Sequence, residues 1–397
     1  MSSHVSTAMP ENDERPAYWG GVFAMSLCVF ALIASEFMPV SLLTPIAAEL
    51  DVSEGQAGQA IAISGAFAVM TSLVISAVAG RLDRKTLLVA LTGVMAVSGT
   101  IVALAPNYWL FMVGRALIGV VIGGFWSMSA ATAMRLVPER QVPRALAIFN
   151  GGNALATVIA PPLGAFLGSI IGWRGAFFTV VPVAIIVFLW QMVSLPTMQA
   201  ERRPGSSNVL TLFQRPVVML GMAAVGLFFM GQFALFTYVR PFLETVTRVD
   251  VSTLSLILLC IGVAGVVGTS LIGGFLKDGL YQVLIVTPIV MAVIATILIV
   301  FGRSLPVTVT VLCVWGFIGT AAPVGWWTWL ARSLPHDAEA GGGLMVAVIQ
   351  LAITLGAVAG GILFDLADYK ATFAASAVLL LLGAALTVRT RGASQPH

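Results

Sequence analysis

The stretch "TMQAERRPGSSNVLTLFQR", residues 197–215, is the only long polar segment in the interior of this 397-residue chain. Its Pro, Gly and Ser residues are typical of a linker. Six apolar runs precede it and six follow it, each long enough to cross roughly 30 Å of hydrocarbon. The runs cover residues 18–43, 55–80, 86–106, 108–134, 142–168 and 174–195, then 216–241, 251–277, 281–302, 306–331, 340–366 and 370–388.

This pattern predicts an all-α integral membrane protein with twelve transmembrane helices in two pseudo-symmetric six-helix halves. We expect an N-terminal tail over 1–17, bundles over 18–195 and 216–388, a linker over 196–215 and a C-terminal tail over 389–397. Composition agrees, because 59% of residues are hydrophobic, only 9% are charged and the mean hydropathy is +1.00. A soluble domain of this size needs more charge on its surface.

Several classes of protein are excluded by the same composition. Cys28, Cys260 and Cys313 are isolated in apolar runs, and the three histidines fall in the tails or a loop. We therefore predict no disulfide framework, no metal site and no cofactor. No run of Lys and Arg indicates a nucleic-acid partner. No span offers a nucleophile with a base, so an enzyme is not expected.

The distribution of cations predicts the orientation in the membrane. If the N-terminus is cytoplasmic, fourteen of the 20 Lys and Arg residues fall on the cytoplasmic side and five on the other. Positive charge is enriched in cytoplasmic loops of membrane proteins. We therefore expect both termini to be cytoplasmic.

The two halves repeat each other at a nearly constant offset. "SEF" at 35–37 matches "GQF" at 231–233 with an offset of 196, and "MRLVP" at 134–138 matches "ARSLP" at 331–335 with an offset of 197. The second offset also carries Asn153 onto Gln350. Internal repeats of this length are common in transporters whose binding site lies between the two repeats.

Two charged residues lie well inside predicted spans. Glu36 is the only carboxylate far from an interface, its counterpart in the second half is the neutral Gln232, and Arg115 is the only cation at such a depth. A buried charge is costly and usually functional in a membrane. Because both lie at similar depth, we predict an ion pair or a shared hydrogen-bond network between Glu36 and Arg115, as either a proton-coupling site or a purely structural bridge.

Uncharged polar and aromatic residues predict the lining of a central cavity. Amide groups can donate and accept hydrogen bonds to an uncharged polar ligand, and aromatic rings can stack on a flat one. Packing inside the bundle or against lipid is the competing interpretation for each of them. The candidates are Asn150, Asn153, Gln232, Gln350, Phe125, Trp126, Tyr238, Trp326 and Trp327.

The first half contains "GRLDRK" at 80–85, "LFMVGRALIGVVIGGFWSM" at 110–128 and "NGGNALATVIAPPLGAFLG" at 150–168. These three segments resemble motifs of the major facilitator superfamily, and in particular its twelve-helix drug:proton antiporters. "GRLDRK" at 80–85 is similar to a shortened form of the superfamily loop motif, although an alanine before Asp83 and a glycine after Arg84 are missing. Gly80 would allow close helix contact, and Asp83 could face a helix N-terminus or a neighbouring arginine. A solvated turn is the simpler interpretation.

The other two segments follow the "GRLDRK" loop in the first half of the chain. "LFMVGRALIGVVIGGFWSM" at 110–128 resembles the superfamily helix with an intramembrane arginine, and "NGGNALATVIAPPLGAFLG" at 150–168 resembles its antiporter motif. Small residues spaced four apart, ending at Gly164, give the second a smooth face, and Pro161 with Pro162 predicts a kink.

A narrower resemblance runs through both halves, to bacterial purine ribonucleoside efflux transporters related to the sugar-efflux transporters. It rests on "EFMPVSLLTPIAAEL", "GGFWSMSAATAMRLVP", "GQFALFTYVRP", "PVGWWTWLARSL" and "VAVIQLA". It implies a monomeric proton antiporter of the bacterial inner membrane that exports inosine, adenosine, guanosine or analogues. A multidrug or sugar exporter, an uncoupled facilitator, and a membrane-bound enzyme or sensor are the alternatives.

Overall fold

The computed structural model describes residues 16–79, 82–198, 214–334 and 338–393, which form helices joined by short connections. Gly80 and most of the predicted linker lie outside these ranges. The helices are α1 (Trp19–Leu50), α2 (Glu54–Ala79), α3 (Arg84–Leu104), α4 (Tyr108–Arg135), α5 (Val142–Phe178), α6 (Val180–Ser194), α7 (Pro216–Phe236), α8 (Val251–Lys277), α9 (Gly279–Phe301), α10 (Leu305–Ser333), α11 (Ala338–Leu366) and α12 (Tyr369–Ala393).

Eleven helical stretches in the described residues are long and apolar enough to cross a membrane. One of them, Arg144–Ser194, has 51 residues and is interrupted at Gly172, whose φ of 72° and ψ of 164° are not helical. At about 1.5 Å per residue it is more than twice as long as one crossing requires. The positive φ suits glycine, which has no Cβ to clash. Counting this stretch as two spans gives the predicted twelve crossings.

Each half of the chain contributes most of one apolar core, and a few residues of the other half join it. The first core is built around α1 to α6 and includes Leu32, Phe111 and Trp173, and the second is built around α7 to α12 and includes Phe228 and Trp315. The all-α membrane fold predicted from the apolar runs is confirmed.

Close helix contacts recur at the offset seen in the sequence. Gly119 of α4 packs on the Ser64 carbonyl of α2, and Gly316 of α10 packs on the Ile261 carbonyl of α8. The two glycines are 197 residues apart in the sequence, and so are the two residues that they contact. A Cβ at either glycine would collide with backbone, so the pairs require glycine. The two six-helix halves are therefore built alike.

The halves meet through two equivalent contacts. Gly65 of α2 packs on Thr354 of α11, and Gly262 of α8 packs on Val158 of α5 so closely that a Cβ on Gly262 would lie 2.8 Å from the Val158 Cα. The glycines differ by 197 residues and their partners by 196. A pseudo-two-fold axis therefore relates the α2–α11 and α5–α8 contacts, and it passes between the halves.

The two ends of the bundle are defined by their connections. The distal end holds the α1–α2, α3–α4, α7–α8, α9–α10 and α11–α12 connections and the break at Gly172 within α5. The terminal end holds the other helix ends, including the first residue of α1 and the last residue of α12. Between α7 and α8, the short helical turns Val239–Phe242 and Leu243–Thr247 continue the chain at the distal end.

Helix α1 is longer than the predicted span 18–43, because it continues through Pro39 and Pro45 to Leu50. A proline inside a helix has no N–H, so the carbonyl four residues earlier loses its partner. The two carbonyls concerned belong to Ser35 and Ser41. Both receive a hydrogen bond from an arginine side chain, and these contacts form part of the candidate site.

Candidate functional site

Arg115 of α4 is fully buried and is held by the main chains of α1 and α2. Its Nη1 donates to the Ser35 carbonyl at 2.6 Å, and its Nη2 donates to the Glu36 carbonyl at 3.1 Å. Its Nε donates to the Ala60 carbonyl at 3.1 Å, and Nη2 also reaches the Ser64 Oγ at 3.3 Å. The Ser35 carbonyl is the one that Pro39 leaves without an intrahelical donor.

These contacts show whether Arg115 and Glu36 form an ion pair. The guanidinium reaches the backbone beside Glu36, and no Arg115 nitrogen lies within 4.0 Å of the Glu36 carboxylate. The two groups thus share a hydrogen-bonded neighbourhood without a direct ion pair. Arg115 fixes the main chain of α1 where Glu36 projects from it.

The Glu36 side chain faces the other half of the molecule. It is 4% exposed, and its Oε1 accepts a long hydrogen bond of 3.4 Å from the Gln350 Nε2 of α11. The Gln350 Oε1 is buried without a donor, and so is the Oε1 of Gln232 on α7. The Gln350 amide, which contacts the only deeply buried carboxylate of the described spans, therefore has unused acceptor capacity, and so does the Gln232 amide.

Two phenylalanines mark the pseudo-symmetry axis beside these polar groups. Phe37 and Phe233 stack across the halves with centroids 5.7 Å apart and planes at 26°. Each follows directly after a member of the Glu36/Gln232 pair. The "SEF" and "GQF" repeats therefore meet at this axis, and Glu36 lies at the interface between the halves.

The second proline of α1 leads to a contact between the halves near the distal end. Arg240, which follows α7, is 5% exposed and donates from Nη1 to the Ser41 carbonyl, the one that Pro45 leaves without a donor. Glu244 holds the guanidinium through contacts of 2.8 Å to Nε and Nη2. One helix of the first half is thus pinned by an arginine of the second.

Asp365 of α11 makes a further contact between the halves at the same end. Its carboxylate accepts from the Gly55 N–H at 3.0 Å and from the Ser53 hydroxyl. Gly55 also lies against the Gly361 backbone. We call the Arg240, Glu244, Ser41, Asp365 and Ser53–Gly55 contacts the distal latch. These contacts hold the distal ends of the halves together.

Tyr238 is placed in this region and not in a central cavity. It is fully buried, its hydroxyl donates to the Ala357 carbonyl at 2.8 Å, and its ring stacks on Phe364. Its hydroxyl also lies against Gly58 and Gly361, on the two sides of the interface between halves. Tyr238 therefore packs between α2 and α11, at the contact between the halves near the distal end.

The remaining predicted aromatic residues form two separate groups. Phe125 is buried and stacks on Phe149 at 6.2 Å, and Trp126 meets both rings edge-on. Trp326 is 2% exposed and packs edge-on against Trp329, whereas Trp327 is 42% exposed. The structure does not gather these rings around Glu36.

The predicted asparagines also differ in their surroundings. Asn150 is exposed and its Nδ2 donates to the Leu146 carbonyl of the same helix at 2.9 Å, whereas Asn153 is half-buried. Of the four predicted amides, Gln350 contacts the Glu36 carboxylate. Among the described residues, no group of three His, Cys, Asp or Glu side chains has the proximity that a metal ion needs.

The predicted conformational motifs are structural contacts of the first half. Asp83 caps α3, because its Oδ1 accepts from the Thr86 N–H at 3.1 Å, and its Oδ2 accepts from the Met198 N–H at 2.5 Å. The Arg84 N–H donates to the Met198 carbonyl at 3.0 Å. Helix α5 runs through Pro161 and Pro162, and Gly164 packs against Ser41.

A family model described as the Major Facilitator Superfamily matches residues 25–345. This match covers most of the chain and includes both halves. The chain belongs to the major facilitator superfamily. It is therefore a multi-pass membrane transporter with a small-molecule substrate, as the sequence resemblance implies.

The relatives of this chain carry two kinds of name. The chain is 42% identical over 366 residues to the "Purine ribonucleoside efflux pump NepI" of Salmonella enteritidis, with 92% of each chain covered. It is 60% identical over 400 residues, 100% of each chain, to the "Transcription regulatory protein OpdE" of Pseudomonas aeruginosa.

Solved structures of superfamily members share the fold at low sequence identity. A bacterial homologue of the human lysosomal transporter Spinster, inward-facing and unoccupied, has a TM-score of 0.76 at 15% identity, covering 96% of this chain and 98% of that chain. A point mutant of the nucleoside transporter NupG has a TM-score of 0.77 at 11% identity, covering 94% of this chain and 99% of that chain.

Sequence reasoning missed the residues that join the halves of this superfamily fold. Arg240 is one of the five cations assigned to the non-cytoplasmic side, and the sequence does not indicate that it is as deeply buried as Glu36. Asp365, Phe37 and Phe233 were not selected. A signal was present, since Pro45 implies an orphan carbonyl at Ser41, and a buried carbonyl needs a donor.

Proposed function

We propose that this transporter is a proton-coupled exporter of purine ribonucleosides, with Glu36 as its proton carrier. The observation that carries the proposal is the position of Glu36. It is a buried carboxylate at the interface between the halves, in contact with Gln350, whose amide oxygen lacks a donor. The name of the 42% identical relative supports the substrate class.

The polar groups around Glu36 suit two protonation states. An ionised carboxylate accepts from the Gln350 amide nitrogen, as in the present geometry. A protonated carboxyl group donates, and a rotated Gln350 amide would offer its oxygen to it. Gln350 therefore acts as a positioning residue that accommodates both states. The unused amide oxygens also suit the N–H and hydroxyl donors of a nucleoside.

The distal latch supports a cycle of alternating access. In the proposed orientation the termini are cytoplasmic, so the described conformation is closed to the outside. Glu36 would release its proton towards the cytoplasm as the substrate binds, and would take a proton from outside as the substrate leaves. One proton is worth roughly 2.3 kcal/mol per 100 mV of membrane potential, which supports a gradient on the order of fiftyfold.

Transport into inverted vesicles tests this proposal. Labelled inosine, a sugar and a cationic dye are offered with and without an imposed proton gradient. We expect gradient-dependent uptake of inosine by the wild type, and loss of that dependence in Glu36→Gln. Glu49→Gln is the matched control, because Glu49 lies on the same helix but is exposed beside Arg174.

Each other outcome identifies a different transporter. Uptake of the dye or the sugar without inosine would identify a multidrug or sugar exporter, and gradient-independent inosine uptake would identify a facilitator. Full proton-driven uptake by Glu36→Gln would remove Glu36 from the coupling role.

A second candidate function is gene regulation, which the name of the 60% identical relative favours. A transporter can influence transcription by changing the cytoplasmic concentration of its substrate. Transcript profiles of cells that express the wild type or Glu36→Gln separate the two possibilities. A regulatory effect that needs no transport would be unchanged by Glu36→Gln.

A further inference from the structure

A cavity of about 590 Å³ opens at the terminal end of the second half. It lies between the first turns of α7 and α9 and the last turns of α10 and α12, away from the Glu36 site. Three arginine side chains line it, namely Arg215, Arg332 and Arg391. We call it the arginine cavity.

The electrostatics of the arginine cavity favour an anion. No acidic side chain is among its described lining residues. The N-terminus of α7, which begins at Pro216, adds the positive end of a helix dipole. Guanidinium groups bind phosphate oxygens with paired hydrogen bonds. Tyr281, Gln282 and Ser333 add uncharged polar groups that suit the esterified part of such an anion.

The surroundings of the cavity favour a lipid as the source of that anion. Met219, Val286 and Val388 are each at least half exposed, and they lie three or four residues deeper in the membrane than cavity residues on α7, α9 and α12. Residues at this spacing lie on the same helix face. Apolar surface therefore runs from the mouth of the cavity along three helices, where acyl chains would lie.

We propose that the arginine cavity binds the phosphate group of an anionic membrane lipid. The phosphate lies between the three guanidinium groups, and the acyl chains run along the exposed faces of α7, α9 and α12. Under the predicted orientation this is the cytoplasmic leaflet, whose surface is negative. The site is independent of the transport proposal.

Arg332 has a second role that guides the choice of variants. Its Nη2 donates to the Leu276 and Lys277 carbonyls at the end of α8, at 3.1 and 3.4 Å. Replacing it would disturb helix packing as well as lipid binding. The test therefore uses Arg215→Gln/Arg391→Gln and, as a second variant near the chain end, Arg391→Glu. Arg389→Gln is the matched control, because Arg389 is exposed on α12 but does not line the cavity.

The experiment is native mass spectrometry of the full chain released from detergent, with phosphatidylglycerol or phosphatidylcholine added. We expect the wild type and Arg389→Gln to retain phosphatidylglycerol at least tenfold better than phosphatidylcholine. We expect the double variant and Arg391→Glu to lose most of that preference while keeping the wild-type unfolding temperature.

Three results would overturn the proposal. The first is equal retention of the two lipids by the wild type. The second is unchanged retention in both cavity variants. The third is a response to free phosphate in place of lipid. In that case millimolar inorganic phosphate would stabilise the delipidated wild type but not Arg391→Glu, and phosphatidylglycerol would stabilise neither protein. The cavity would then bind free phosphate.

Discussion

Replacing Arg240 by glutamine is expected to open the distal end of the molecule. In the closed state Arg240 supplies the hydrogen bond that Pro45 denies to the Ser41 carbonyl. Glutamine is too short to reach it and carries no charge. A hydrogen bond from a charged donor contributes about 1.5–3 kcal/mol, and an unsatisfied buried carbonyl adds a penalty in the closed state. When the distal end opens, water can satisfy that carbonyl.

A loss of about 2 kcal/mol changes the ratio of closed to open molecules by roughly thirtyfold, since about 1.4 kcal/mol corresponds to a factor of ten. Spin labels at Asn107→Cys and Arg303→Cys report the change, because these exposed positions lie at the distal end on opposite halves. Cys28, Cys260 and Cys313 are replaced by alanine. Electron-paramagnetic distance measurements should show a larger population of long distances in Arg240→Gln.

A double-mutant cycle isolates the role of the freed carbonyl. Pro45→Ala restores the N–H that bonds the Ser41 carbonyl within α1, so Arg240 then contributes less to closure. The effect of Arg240→Gln should shrink by at least about 1 kcal/mol in that background. Equal effects in both backgrounds, or no change in distances with Arg240→Gln, would refute the reasoning. Lys370→Gln is the control, because Lys370 is an exposed cation at the same end.

Three other predictions test different parts of the structure. Arg115→Lys should lower the unfolding temperature in detergent, because one ammonium group cannot serve carbonyls on two helices; a loss of about 2–4 kcal/mol is expected, and Arg389→Lys should lose nothing. Gln350→Leu should abolish the release of a proton on inosine binding, measured with a pH dye in weak buffer, whereas Gln350→Asn should retain part of it. Gly65→Leu should separate α2 from Thr354 of α11 and raise the long-distance population, as Arg240→Gln does, whereas Gly151→Leu, with open space around it, should not.

The helix count and the two-fold repeat could be predicted from the sequence. A bilayer strongly constrains the length and the apolar composition of a helix that spans it, so a hydropathy pattern is enough to locate the spans. The offset between halves also predicted which residues are equivalent, and the Gly119 and Gly316 contacts obey it. The break at Gly172 falls between the predicted runs 142–168 and 174–195, because an apolar stretch of this length must cross the bilayer twice.

The rotation of each helix about its axis could not be predicted. A spanning helix is apolar towards lipid and towards its neighbours, so the pattern does not show which face is buried. Trp326 and Trp327 are adjacent and equally apolar, yet one is buried against Trp329 and the other is exposed. The similar depth of the two residues in their helices predicts that Arg115 lies near Glu36. The rotation of α4, which depth does not reveal, directs the guanidinium to the backbone carbonyls of α1.

Helix α1 connects the proposed proton site to the latch. Its two prolines leave two carbonyls without donors inside the helix, at Ser35 and Ser41, six positions apart, and Glu36 lies next to the first. Arg115 binds the first carbonyl from within the same half, whereas Arg240 binds the second from the other half. In the proposed alternating-access cycle the first contact, within one half, would persist, and the second, between the halves, would have to break. A change of charge at Glu36 therefore acts on a helix that is fixed at one proline and releasable at the next, so one short segment can link proton binding to opening.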